Sequence, residues 1–183
     1  MFVYRFDAEK GTLTPQGAAP VEPGSCPRHL AFHPQGRYAY VINELSNTIT
    51  AFGYDPTKGE LAPIETVKTL PEGFAGTSYT AEVEVSPDGR FLYGSNRGHD
   101  SLVVFRIDAA SGRLALAGHV PVGGAWPRHF TIEAGSRVLL AAHQRSGTIA
   151  VFKLDETSGM PVPVGASVAV DRPACLLPVP RGR

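Results

Sequence analysis

The sequence predicts an all-β protein, a partial β-propeller built from four-stranded antiparallel blades. Three observations lead there. The chain falls on itself without a gap when shifted by 53 positions: His33-Pro34-Gln35-Gly36-Arg37 lands on Ser86-Pro87-Asp88-Gly89-Arg90, and Tyr40, Asn43, Phe52, Asp55 and Gly59 land on Tyr93, Asn96, Phe105, Asp108 and Gly112. A shift of 100 brings Pro27-Arg28-His29 onto Pro127-Arg128-His129, and Asp55 and Gly59 onto Asp155 and Gly159. A period near fifty marks a repeat architecture. Within each unit, short runs of β-branched and aromatic residues alternate with turns carrying Gly and Pro. No stretch shows apolar spacing at 3.6 residues over about ten positions, which argues against helical repeats.

Each unit has the same internal order, best seen in the middle one. A strand over Glu82 to Val85 precedes the Pro-Asp-Gly turn. A second strand, Arg90 to Asn96, ends in a polar loop. A third, Leu102 to Ile107, ends at Asp108 and a turn closing on Gly112. A fourth runs from Leu114 to Val120. Four short strands per repeat describe a propeller blade.

Taken in order, residues 2–7 match the third strand of a unit, with Gly11 in the place of Gly59. Three full units begin near Arg28, Ala81 and Arg128, and 2–27 and 173–183 are partial units of the same single domain. Pro173-Ala174-Cys175-Leu176-Leu177 reads as the first strand of another unit, which Pro178, Pro180 and Gly182 end. Closed propellers have about four to eight blades, so the expectation is a piece of a longer chain. Its open edges would invite self-association.

Composition sets bounds. Lys plus Arg and Asp plus Glu both count 17, so the formal net charge is zero and the basic footprint of a nucleic-acid binder is lacking. No apolar run reaches the roughly 20 residues of a membrane helix, and Met1-Phe2-Val3-Tyr4-Arg5 enters directly into a strand pattern instead of a signal peptide. A cytoplasmic location and no membrane partner are expected. Cys26 and Cys175 form neither a disulfide framework nor a metal knuckle and are expected to be packed residues. There is no HExxH, EF-hand, GxSxG or glycine-rich phosphate loop, so neither a metal nor a cofactor is expected.

The candidate chemistry lies where the repeat is broken. In an antiparallel hairpin the start of strand one and the end of strand two share one end of the blade. Strand-one starts carry Arg28, Ala81 and Arg128; strand-two ends carry Glu44, Arg97 and Gln144. Residues that shape turns repeat, as Asp55, Asp108 and Asp155 do; these positions vary among Arg, Ala, Glu and Gln. The arginines suit a carboxylate or phosphate, Glu44 suits a general base, and His29 and His129 suit proton transfer near neutral pH. The catalytic candidates are therefore Glu44, Arg28, Arg97 and His29, and the substrate contacts Arg128, His129, Asn96 and Gln144. Blander readings stand beside them: an Arg28–Glu44 ion pair across the hairpin mouth, His29 and His129 as packed strand residues, a solvated His33, and Asp100 as a turn cap.

Gly24-Ser25-Cys26-Pro27-Arg28-His29, Tyr40 to Leu45 and Ala81 to Ser101, above all Ser95-Asn96-Arg97-Gly98-His99-Asp100-Ser101, resemble the lactonase family of seven-bladed propellers, which includes bacterial 6-phosphogluconolactonases and a fungal carboxy-muconate lactonizing enzyme. The resemblance runs from Phe2 to Leu177. It implies the C-terminal half of such a protein, hydrolysis of a phosphorylated sugar lactone, and a channel site of Arg28, Glu44 and Arg97 completed by a histidine from an earlier blade outside this sequence. His129 and Cys26 depart from the family pattern. Two rival functions are a muconate-type cycloisomerase, which closes a lactone instead of opening it, and a propeller interaction module without chemistry.

Overall fold

The computed structural model describes residues 1–133 and 135–179. Among them every regular element is a strand. β1 (Phe2–Asp7) and β2 (Thr12–Ala18) form a hairpin. β3 (Pro27–Phe32), β4 (Tyr38–Asn43), β5 (Thr48–Asp55) and β6 (Glu60–Lys68) form the first complete blade. The second holds β7 (Tyr79–Val85), β8 (Phe91–Arg97), β9 (Ser101–Ile107) and β10 (Leu114–Pro121). The third holds β11 (Pro127–Glu133), β12 (Val138–His143), β13 (Thr148–Leu154) and β14 (Pro161–Ala169). All pairings are antiparallel between sequence neighbours. The hairpin β1–β2 is the outer half of a blade, as the match of residues 2–7 to a third strand requires.

The cores lie between blades. Tyr40, Ile42, Ile49, Leu92, Val103 and Phe105 pack the first blade against the second. Tyr93, Leu102, Val104, Phe130, Leu139 and Phe152 pack the second against the third. This explains why β4 and β8 are buried along their whole length: a middle strand is covered on both faces by neighbouring blades, so β4 is apolar or aromatic up to Asn43 and β8 over Phe91–Tyr93, with the polar residues Ser95, Asn96 and Arg97 gathered at the end of β8 that reaches the site. The innermost strands β3, β7 and β11 lie side by side, β7 touching both of the others.

Repeating residues do repeating work. Asp55, Asp108 and Asp155 each fold a carboxylate oxygen back onto backbone N–H groups two or three residues on, an Asx turn. The hydroxyl of Tyr40 donates to the Gly112 carbonyl of the next blade (3.1 Å), and Tyr93 does the same to Gly159 (2.7 Å). The glycines are needed there: Gly112 and Gly159 have positive φ, and an added Cβ would collide with the rings of Tyr38 and Phe91 in the preceding blade.

Three expectations are corrected. His33 is buried, not solvated, because the next blade's turn closes over it; its Nε2 lies 3.0 Å from the Gly89 carbonyl. Residues 173–177 form no strand, because no second strand lies beside them to complete a ladder; Pro180 and Gly182 lie outside the described residues. Cys26 and Cys175 are exposed free thiols. Cys26 sits in a left-handed turn (φ 57°) before β3, and Cys175 belongs to the segment without a ladder. In the hairpin β1–β2, Phe2, Phe6 and Leu13 are exposed.

Candidate active site

The site is built by a bulge repeated at the start of each inner strand. In β3, Pro27 pairs with Asn43 and His29 with Ile42, so Arg28 is an extra residue; Arg128 is inserted into β11 in the same way. In β7 the register slips between Thr80 and Val83, which frees Ala81 and Glu82. A bulge bends its strand and re-aims side chains. Here it turns Arg28, His29, Glu82, Arg128 and His129 towards one another at the end of the blades where Glu44, Arg97 and Gln144 emerge.

Glu44 is the anionic centre of one cluster. Its Oε1 takes a hydrogen bond from Arg97 Nη2 (2.5 Å), and its Oε2 lies 3.9 Å from Arg28 Nε. The ion pair across the hairpin mouth therefore exists, but the closer partner comes from the next blade. Arg97 is 3% exposed. Its Nη2 also donates to the Thr80 carbonyl (2.9 Å) and its Nε to the Tyr79 carbonyl (3.4 Å), and its guanidinium lies 5.4 Å from the Trp126 ring. Burial pulls the Arg28 guanidinium below its ordinary value, and the positive charge of Arg97 adds to this. Two arginines this close, sharing one carboxylate, leave net positive charge suited to an anion.

Glu82 organises the second cluster, and its role was not expected from the sequence. It is 6% exposed. Its Oε1 lies 2.7 Å from His29 Nδ1 and also accepts from the Val83 N–H. Its Oε2 faces His129 Nε2 at 3.2 Å, off the axis of a good hydrogen bond. Arg28 Nη1 also lies 3.2 Å from His29 Nδ1 but has its closer acceptor in the Ala81 carbonyl (2.7 Å), and a carboxylate only accepts, so the proton between His29 and Glu82 is assigned to Nδ1. That leaves His29 Nε2 as the acceptor. His129 accepts from the Leu176 N–H at Nδ1 (3.3 Å) and has Cys175 Sγ 3.6 Å from Nε2. Burial depresses its basicity more than Glu82 restores it, so His129 is neutral at pH 7. A signal for Glu82 was present: shifts of 53 and 100 place Glu82 and His129 on His29. Three consecutive blades thus carry His, Glu and His at one inner position.

Other candidates fall elsewhere. Asn96 is a correction: its amide is spent inside the blade on the Thr69 carbonyl (3.0 Å) and Ser101 Oγ (3.2 Å), with no exposure. It is the counterpart of Asn43 and His143, which bond Thr48 in their own blades or that residue's equivalent, Thr148. Gln144 is held at the mouth by its backbone N–H on the Trp126 carbonyl. Arg128 adds its charge beside Arg28. Asp100 caps its turn as expected, accepting from the N–H groups of Gly98 and, across the blade boundary, Trp126. Among the described residues no group of three or more His, Cys, Asp or Glu has metal-binding geometry, and no helix is long and apolar enough to cross a membrane.

Farther along β7, Glu84 accepts from the Ile132 N–H (2.9 Å) and burial raises its carboxyl to about 7. The folded chain thus holds this proton more tightly than the unfolded one. The stability it confers is complete below about pH 4.5 and is lost as pH rises to about 7. Glu84→Gln keeps an acceptor for Ile132 and removes the titration. The variant should be more stable than the parent at pH 8, with a flatter profile between pH 4.5 and 7, as urea denaturation at several pH values would read.

Comparison with known proteins agrees with this architecture. The family model described as lactonase, 7-bladed beta-propeller, matches residues 1–178. A 6-phosphogluconolactonase of Bacillus subtilis is 38% identical over 174 residues, 95% of this chain and 50% of its own; one of Formosa agariphila is 40% identical over 162 residues, 86% and 45%. The periplasmic gluconolactonase of Pseudomonas aeruginosa superposes with a TM-score of 0.87 at 38% identity, covering 95% of this chain and 49% of its own. A protein of Lactobacillus plantarum superposes with a TM-score of 0.89 at 33% identity, covering 93% and 50%. The chain spans about half the length of the curated relatives it matches. With the four-stranded blades, the Arg28–Glu44–Arg97 cluster and a family match over nearly its whole length, the chain belongs to the lactonase family of seven-bladed β-propellers.

Proposed function

We propose that this chain carries the catalytic half of a lactonase acting on a phosphorylated sugar lactone, 6-phosphogluconolactone, and yielding 6-phosphogluconate. The observation that carries the reading is the juxtaposition, at one end of three blades, of two arginines around Glu44 with a histidine oriented by a buried carboxylate. A lactone is an ester. Its hydrolysis needs a base for water, positive charge for the carbonyl oxygen and a proton for the departing ring oxygen. His29 Nε2 takes a proton from water as the water oxygen bonds the ring carbonyl carbon. Arg28 and Arg97 stabilise the oxyanion. The ring C–O bond then breaks, and the proton passes from His29 to the leaving alkoxide, giving the hydroxy acid. Glu82 holds the His29 tautomer and stabilises the imidazolium; Glu44 fixes the two arginines. No cofactor enters these steps.

The reading also puts the reaction in the cytoplasm, because a phosphorylated sugar carries charge that does not cross a bilayer unaided. Self-association through the open edges is proposed with it, and a monomer by light scattering would dismiss that part. The activity is tested with freshly prepared 6-phosphogluconolactone, corrected for spontaneous ring opening. The assay uses the 183-residue chain alone and the same chain joined to the N-terminal half of the Bacillus subtilis relative. Turnover by either, lost on His29→Gln, supports the reading; no turnover by both overturns it.

A further inference from the structure

We propose that Arg145, seated on the ring of Trp126, binds the phosphate of the sugar substrate at the channel mouth, while Arg28 and Arg97 take the lactone end. This rests on the lactonase reading and adds to it the residue that selects a phosphorylated substrate.

The positions break the repeat as the site residues do. Shifts of 53 and 100 place Tyr79 and Trp126 on Cys26, and Gly98 and Arg145 on Leu45. Only the third blade puts an arginine in this loop, and only there does a tryptophan precede the inner strand. The Arg145 guanidinium lies 3.5 Å from the Trp126 ring centre, and Arg97 lies 5.4 Å from the same ring. One indole thus connects the buried Arg97–Glu44 pair to an exposed arginine.

The arrangement is held in place. Trp126 has φ 67°, a conformation that a bulky residue adopts only under constraint. Its N–H donates to Asp100 Oδ1 (2.8 Å) and its carbonyl accepts from Gln144 N (3.0 Å). The Arg145 N–H donates to the Ala125 carbonyl (3.2 Å), and Ser146 Oγ accepts from Ala125 N. The two loops are stitched together on both sides of the stack. Arg145 is exposed and makes no ion pair among the described residues, whereas Arg97 is committed to Glu44. A guanidinium lying against an indole keeps its in-plane N–H donors free, and their fork matches two phosphate oxygens.

Trp126 is the sole tryptophan of the chain, so its fluorescence reports ligands at this stack directly, without turnover. The chain would be titrated with 6-phosphogluconate, gluconate and inorganic phosphate, and Arg145→Gln with the same three. The parent should bind 6-phosphogluconate at least about tenfold more tightly than either of the others, and Arg145→Gln should lose roughly tenfold for 6-phosphogluconate with no change for gluconate. Arg145 is exposed, so an unchanged melting temperature is expected and would rule out misfolding. Undiminished preference for 6-phosphogluconate in Arg145→Gln would overturn the role of Arg145 and leave the lactone site standing. Inorganic phosphate binding as tightly as 6-phosphogluconate would overturn the sugar-phosphate assignment. No response to any of the three would overturn this proposal; the turnover assay then decides the lactonase reading by itself.

Discussion

Arg97→Ala is expected to lower lactone turnover by about 10²–10³, the usual effect of removing one preorganised donor from an oxyanion site, and to destabilise the fold by about 2–3 kcal/mol. The stability loss has separable origins. Glu44 keeps Arg28, at 3.9 Å, but loses its closer partner. The Thr80 and Tyr79 carbonyls lose donors. The Tyr79 and Trp126 rings, which meet edge-on, lose the guanidinium beside them. The loss is smaller than for a fully buried pair because the Glu44 side chain is 29% exposed and water can reach it. Arg97→Lys separates the roles, since it restores charge without the fork that meets Glu44 and Thr80 together. Turnover is read with saturating lactone, and stability by urea denaturation of the same preparations. Normal turnover in Arg97→Ala would remove this residue from the chemistry, whatever the denaturation showed.

The blades were legible because a propeller repeats its solutions. Each turn that needs Asp at its start and Gly at its close spells them at a fixed period, so strand limits could be placed to within a few residues. The clustering of Arg28, Glu44 and Arg97 was legible for the converse reason: Glu44 and Arg97 fill one repeat position with unlike residues, and Arg28 fills another where the next blade has Ala81. What stayed hidden was set by geometry between blades. Glu82 and Glu84 alternate with Val83 and Val85 and look like the solvated face of a half-buried strand; the bulge in β7 and the neighbouring β11 bury Glu82 and half-bury Glu84. Asn96 stands beside Arg97 in the chain, yet the pleat sends it into the blade. His33 looks like a turn residue, although Ser86, its counterpart in the repeat, is buried too. Trp126 and Arg145 are 19 residues apart, and their stacking follows from a backbone angle that composition does not signal.

Glu82 is where a substitution should separate orientation from charge. In Glu82→Gln the amide oxygen can still accept from Val83 N–H and His29 Nδ1–H, but the amide nitrogen then faces His129 Nε2, which carries the proton because Nδ1 accepts from the Leu176 N–H, so donor meets donor there. The His29 tautomer survives, but the negative charge that balances an imidazolium is gone. Turnover should fall by about 10- to 100-fold, with a modest fall in melting temperature from the donor pair at His129. Glu82→Leu removes the acceptor as well, so His29 is free to carry its proton on Nε2 and present no lone pair to water. The loss should approach that of deleting the base itself, about 10²–10⁴. A role limited to packing predicts the reverse order, because leucine fills the site without an unpaired polar group and the amide does not. The ratio of the two variants in kcat, measured alongside their melting temperatures, therefore decides whether the carboxylate acts on His29 or only fills the space between the blades.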